Sequence, residues 1–319
     1  MHILVSILIP VYNADKSIAY ALNSCLQQTY AHFEILVLDD ASTDNTVAIL
    51  GTFKDERVRV IRHRENMGVA VARNRLLEES RGEYIAWIDA DDTMLPDRID
   101  KQLAFMLANP AVDIAGTWVY TELPGLRQKK LPLLHSHIKA MLWFRNCLVQ
   151  PSIMSKNFYK RENIWYDLSF ARSAEDYELW YRLSKTRHFA NIPECLTRYN
   201  ALDGQALDSK NRKTGLYAQL DRLWKQKWQD AGIDAGEDER QKFQAFIMGN
   251  SRIDIAEAKI ILAILEQLAQ VHSDEFWILI LSYHKLRLWR NMGLGGKLKY
   301  LSLGLNFFHL PKMRQHYLL

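Results

Sequence analysis

Three carboxylates in four residues, Asp89, Asp91 and Asp92, close a short apolar run, Ile85-Ala86-Trp87-Ile88. Acids this close repel one another unless a metal ion, a basic group or water compensates them. The apolar run reads as a buried strand, so its end opens into a site suited to cationic charge. An acidic turn before a helix near Pro96 explains the same residues without chemistry. A second cluster separates the two readings. Asp39-Asp40-Ala41-Ser42-Thr43-Asp44 also follows directly on an apolar run, residues 33–38. Two parallel strands ending in acids converge at the carboxyl edge of a sheet, where open α/β folds bind ligands.

The elements that position these acids alternate. A β-branched strand at 3–11 stops at the turn-forming Pro10-Val11-Tyr12-Asn13. A helix over 14–28 sets Ile18, Ala21, Leu22, Cys25 and Leu26 on one face. Strand 33–38, a helix capped by Asp44, strand 57–61, helix 68–80 and the strand into Asp89 continue the series. Helix 96–107 and strand 112–120 follow, then 125–166 shows no clear period. A helix over 175–184 and a strand over 188–199 complete an α/β domain predicted to span 1–205. Residues 206–319 read as a helical region, with one long amphipathic helix at 239–271.

Composition bounds the function. The 319 residues are 48% apolar and 24% charged, as in an ordinary globular chain. A net charge of +4 is too small to argue for nucleic acid. Cys25, Cys147 and Cys195 match no zinc or disulfide spacing and suit a reduced cytosolic interior. The apolar start reads as a strand, not a signal peptide, and no run has the length of a membrane span.

The ordered set Pro10-Val11-Tyr12-Asn13, Asp39 to Asp44, Asn66-Met67-Gly68 with Ala72-Arg73-Asn74, Gly82-Glu83-Tyr84, Asp89-Ala90-Asp91-Asp92, Pro96-Asp97-Arg98 and Glu175-Asp176 resembles the family 2 glycosyltransferases. That resemblance implies the GT-A fold and a nucleotide-sugar donor, in most relatives a UDP-sugar. It implies Asp91 as the ligand of Mg²⁺ or Mn²⁺ and Asp89 as its partner near the ribose and metal. Asp40 would accept a hydrogen bond from the base, Tyr12 would stack on it, and Pro10 and Asn13 would line the pocket. Arg73 would reach the ribose or diphosphate. Asp176 would be the catalytic base of an inverting displacement, with Glu175 tuning it. Plainer roles stay open: strand-end packing for Tyr12, a surface position for Arg73, a turn cap for Asp92 and a helix-start acid pair for Glu175 and Asp176.

The Gln-x-x-Arg-Trp motif of the processive members is absent, which implies single, non-processive transfer to a glycan or lipid-linked hydroxyl. Gln150-Pro151-Ser152 falls where relatives line the acceptor side. No acid follows Glu275, while Lys and Arg continue to Arg314 among aromatics. Such a tail suits an anionic membrane surface and a peripheral position on its inner face, or else a cap on the catalytic domain or a homodimer interface. A silent nucleotide-sugar-binding or scaffolding subunit is the alternative to an enzyme.

Overall fold

The computed structural model describes residues 3–121, 126–170, 174–199, 210–233, 235–249, 253–272 and 275–291. Along the first half, β1 (Val5–Val11), α1 (Ile18–Leu26), β2 (Phe33–Asp39), α2 (Thr46–Leu50), β3 (Val58–Arg62), α3 (Val69–Glu79) and β4 (Tyr84–Trp87) alternate. The four strands run parallel in the order β3-β2-β1-β4. Successive strand side chains face opposite sides, and β1 is buried at every position and β2 at every position but Glu34, so both strands are covered on two faces. Val5, Ile7, Ile9 and Val11 pack with Ile18, Leu22 and Cys25 of α1. Helix α3 packs on β1 and β2, with Leu76 and Leu77 buried.

Beyond β4 come β5 (Thr93–Met94), α4 (Arg98–Ala108), β6 (Ile114–Thr121), β7 (Arg127–Lys129), α5 (His135–Phe144), β8 (Met154–Lys156), α6 (Glu175–Leu183) and β9 (Phe189–Tyr199). The sheet continues β4-β8-β6-β9-β5, with β8 antiparallel to both neighbours and β6 parallel to β9. The expected α/β sheet with helices is therefore present. What the stretch 125–166 concealed is α5 and β8, the latter too short for a three-residue segment to show a period.

The chain divides into two compact units, Met1–Leu142 with Asn146–Gln219, and Trp143–Arg145 with Leu220–Leu319. The second contains α8 (Glu237–Met248), α9 (Ile255–Val271), α10 (Glu275–Asn291) and the latter part of α7 (Lys210–Ala231). The single helix expected over 239–271 is two. Gly249, at φ 101°, ends α8 in the left-handed conformation. Asp254 then starts α9 by accepting from the Glu257 N–H at 2.8 Å, and Glu257 accepts from the Asp254 N–H at 3.1 Å. Inside this unit Trp143 is surrounded by Trp224, Trp228, Phe243 and Trp277, with centroids 5.1 to 6.2 Å away. Trp277, Ile280, Leu281 and Leu288 of α10 are buried, so these apolar residues of 276–290 do not form a membrane-facing surface. The remaining tail residues named above, from 292 on, lie outside the described residues. Among the described residues no helix is long and apolar enough to cross a membrane.

Two buried basic side chains, Arg98 and His284, have consequences for stability. Arg98 is fully buried, donating to the carbonyls of Trp87 (3.0 Å), Pro151 (2.5 Å) and Ile153 (3.3 Å) and to Gln102 Oε1 (2.8 Å). It ties the end of β4 to the segment entering β8. Replacing it as Arg98→Met strands three carbonyls, and chemical unfolding should show a loss of about 3 kcal/mol or more. A loss below ~1 kcal/mol would deny Arg98 this role. His284 stacks on Phe144 at 4.6 Å, and burial, followed by the charges of Arg287 and Arg145, lowers its pKa from 6.5 to about 3. The unfolded chain takes up a proton as pH falls below 6.5 while the folded one does not until about 3. Folded stability therefore decreases with acidification across that window. Between pH 7.5 and pH 4.5 the parent should lose melting temperature relative to His284→Phe, and equal pH dependence in the two proteins would deny His284 this role.

Candidate active site

The carboxyl ends of β1, β2 and β4 carry the residues singled out by sequence. After β1, Pro10 is buried, Tyr12 is 48% exposed, and Asn13 takes the left-handed conformation at φ 49°. The Asn13 N–H donates to Ser42 Oγ (2.9 Å), and its Oδ1 accepts from the Thr43 N–H (2.8 Å). The Ala14 and Asp15 N–H groups donate to Thr46 Oγ1 (2.8 Å) and Asp44 Oδ2 (3.1 Å). These bonds lock the loop after β1 to the loop after β2, and leave the Tyr12 ring as the open surface beside them.

Asp39 and Asp40 are both buried. Asp39 accepts from the Ser42 N–H at 3.2 Å and pairs with Arg62 at 3.0 Å. Asp40, expected to meet a nucleobase, holds three protein partners. Its Oδ1 meets the Met67 N–H (3.0 Å) and His63 Nδ1 (2.7 Å), and its Oδ2 accepts from the Gly68 N–H (2.8 Å). Three of a carboxylate's four lone-pair directions are thus occupied. Gly68, at φ 91°, adopts a backbone that side chains disfavour, and this presents its N–H at the start of α3.

Arg73 neither lies on the surface nor points free. It is buried, with one guanidinium nitrogen on Glu175 and another on Asp89 Oδ1 at 3.1 Å. The guanidinium lies 5.6 Å from the Tyr166 ring centroid and 5.9 Å from that of Trp87. Asn74 fixes Tyr166 by donating to its carbonyl (2.9 Å) and accepting from its N–H (2.8 Å), while Gln150 donates to its hydroxyl (2.9 Å). Glu175 and Asp176 open α6 behind Ala174, which is itself left-handed at φ 59°. Asp176 Oδ2 accepts from Asn146 Nδ2 at 2.9 Å, and its Oδ1 from the Tyr177 N–H at 2.7 Å. The structure therefore brings Arg73, Asp89, Glu175 and Asp176 together and keeps Asp40 in a separate network beside Tyr12 and Asn13. Sequence reasoning missed Asn146, Tyr166 and His63. The first two fall in the aperiodic stretch, and His63 was passed over as the residue after a strand.

The electrostatics are dominated by an excess of acid. Burial opposes the charge of Arg73, but Glu175, Asp89 and Asp176 outweigh it and hold the guanidinium firmly protonated. Burial raises Glu175 to about 7, against the pull of Arg73. Burial likewise raises Asp176, with Arg73 and the donors from Tyr177 and Asn146 opposing. Asp91 is pushed up to about 6 by burial and then by the charge of Asp89. One arginine thus faces the acids Asp89, Glu175 and Asp176, and Asp91 adds a further charge beside Asp89. A diphosphate would be repelled from such a place without a cation. Among the described residues no three His, Cys, Asp or Glu side chains group to hold an ion alone. The donor set fits a hard divalent ion bound by one or two carboxylates and otherwise by phosphate oxygens and water.

Parallel strands ending in acids, followed by a mixed sheet extension, agree with the GT-A fold that the resemblance implies. Comparison bears this out at the level of fold and family. The model of "Glycosyl transferase family 2" matches residues 6–166. TuaG of Bacillus subtilis, described provisionally as a teichuronic acid biosynthesis glycosyltransferase, is 31% identical over 230 residues, covering 69% of this chain and 89% of TuaG. TarS 1–349 of S. aureus, solved with UDP-GlcNAc, superposes with TM-score 0.55 at 18% identity over 90% of this chain and 82% of that one. The mannosyltransferase PcManGT of Pyrobaculum calidifontis, solved with GDP-Man and Mn²⁺, gives TM-score 0.55 at 17% identity over 93% and 83%. The chain spans between 33% and 89% of the length of the first curated relatives it matches. The chain belongs to glycosyltransferase family 2.

The left-handed Ala174 generates a prediction. An alanine there costs about 1 kcal/mol that glycine avoids. Ala174→Gly should leave stability unchanged or raise it by up to ~1 kcal/mol in chemical unfolding. A loss above ~1 kcal/mol would contradict the strained conformation before Glu175.

Proposed function

We propose that this enzyme moves one sugar at a time from a nucleoside-diphosphate sugar, a UDP-sugar, to a hydroxyl of a glycan or lipid-linked oligosaccharide, with inversion. The observation that carries the reading is the crowding of Asp89, Glu175 and Asp176 around one buried cation, Arg73. Asp91 and Asp89 would hold Mg²⁺ or Mn²⁺, whose contribution when bound is to neutralise the charge developing on the departing diphosphate. The Mn²⁺ and GDP-Man of PcManGT and the UDP-GlcNAc of TarS support a nucleotide-sugar donor with a divalent ion. The exposed Tyr12 ring would stack on the base, with the backbone of Pro10 and Asn13 beside it. Asp40, held by His63, Met67 and Gly68, would offer the base its remaining lone pair.

Asp176 receives the proton of the acceptor hydroxyl as that oxygen attacks the anomeric carbon and the diphosphate leaves. A single displacement inverts the configuration. Arg73 holds Glu175 and Asp89 in place and limits the repulsion among the acids. Residues 1–205 would carry the chemistry and 206–319 the helical region. The relation to TuaG supports a surface-polysaccharide acceptor, and the acid-free basic sequence after Glu275 supports work on the inner membrane face.

Replacing the base tests the proposal. Asp176→Asn should bind donor as the parent does while turnover falls about a hundredfold or more. The base must be unprotonated, and burial raises its pKa, so kcat/KM should fall on acidification through a limb above the ordinary aspartate range. Unchanged turnover in the variant would remove Asp176 as the base. Absence of transfer in the parent protein, with donor bound, would favour the scaffolding alternative.

A further inference from the structure

The base is held by a residue with no role in the scheme above. We propose that Asn146 is a positioning residue that fixes the Asp176 carboxylate in the orientation that receives the acceptor's proton. The proposal rests on the reading of Asp176 as the base.

The geometry is directional. Asn146 Oδ1 accepts from the Leu148 N–H at 3.1 Å, closing a turn two residues on. With the acceptor end of the amide committed, its donor end is the one left to face Asp176, where Nδ2 donates to Oδ2 at 2.9 Å. Asp176 Oδ1 is held independently by the Tyr177 N–H at 2.7 Å. Two donors on opposite oxygens stop rotation of the carboxylate and leave each oxygen a lone pair for an incoming hydroxyl. Asn146 is anchored because Cys147, Leu148 and Val149, which follow it, are buried.

The chemistry also selects an amide. The groups facing Asp176 are Arg73 on α3, Asp89 after β4, Glu175 beside it and Tyr199 at the end of β9. Arg73 is already committed to Glu175 and Asp89. A second cation at position 146 would weaken the base, and an acid would add repulsion to a crowded site. A neutral donor orients the carboxylate and favours its charged form while leaving its proton affinity usable.

The test uses Asn146→Ser and Asn146→Ala in the full chain. Serine can still accept from the Leu148 N–H but is too short to reach Asp176, so it separates turn formation from contact with the base. Both variants should keep donor binding and the KM for donor, lose about tenfold or more in kcat, and move the acid limb of kcat/KM to higher pH. Adding Asn146→Ser to Asp176→Asn should cost nothing further, because the group it positions is already gone. An unmoved acid limb in the serine variant, or a loss confined to the KM for acceptor, would overturn the proposal. If Asp176→Asn is inactive while Asn146→Ser retains the parent pH profile, the positioning role alone fails. If Asp176→Asn retains turnover, the base assignment fails and the inference falls with it.

Discussion

The site depends on one buried guanidinium. Arg73 sits on the helix that follows β3, and it bonds to carboxylates that arrive from two distant places in the chain, Asp89 after β4 and Glu175 at the start of α6. Burying a charge of either sign is costly unless it has a partner. Bringing these groups together makes all of them tolerable and fixes α3, β4 and α6 in relation to one another. The balance remains short of positive charge, since Asp91 and Asp176 are not bonded to Arg73. That shortage, with the raised pKa of Asp176, is the physical ground for proposing a divalent ion and a catalytic base at this edge.

A second buried arginine, Arg98, supports the same edge from behind. Its contacts to the Trp87, Pro151 and Ile153 carbonyls hold the strand end from which Asp89 emerges. The backbone is also under tension at this edge. Left-handed Asn13, Ala41 and Ala174 stand respectively after β1, after β2 and before Glu175. Only tight surrounding bonds keep alanine in that conformation, and two of these residues lie in the loops laced by Ser42, Thr43 and Thr46. The fold accepts local strain to aim a few side chains.

Much of this was legible in the sequence. The β-branched runs, the helical spacing between them and the acids at strand ends predicted the parallel sheet and the edge at which those acids gather. The apolar face of α1, with Ile18, Ala21, Leu22 and Cys25 buried, followed from its period alone. What was hidden had physical reasons. Strand β8 is too short to show alternation, yet it pairs with both β4 and β6. The break between α8 and α9 lies within a continuous apolar rhythm, and only Gly249 and the Asp254–Glu257 box marked it. Arg73 reads like any helical arginine until Glu175, 102 residues away, is placed against it. Asn146 shows in the sequence at most as a turn former, because Asp176, to which it donates, lies 30 residues away.

The account turns on whether the carboxylates at this edge require a divalent cation to receive a diphosphate. Isothermal titration of UDP, GDP and their common sugar conjugates, with Mn²⁺ and then with chelator, measures this directly. The account predicts metal-dependent binding, weakened about tenfold or more by chelation and strongest for a uridine conjugate. Equal affinity in chelator would contradict it, and would mean that Arg73 and its neighbours accommodate the diphosphate unaided.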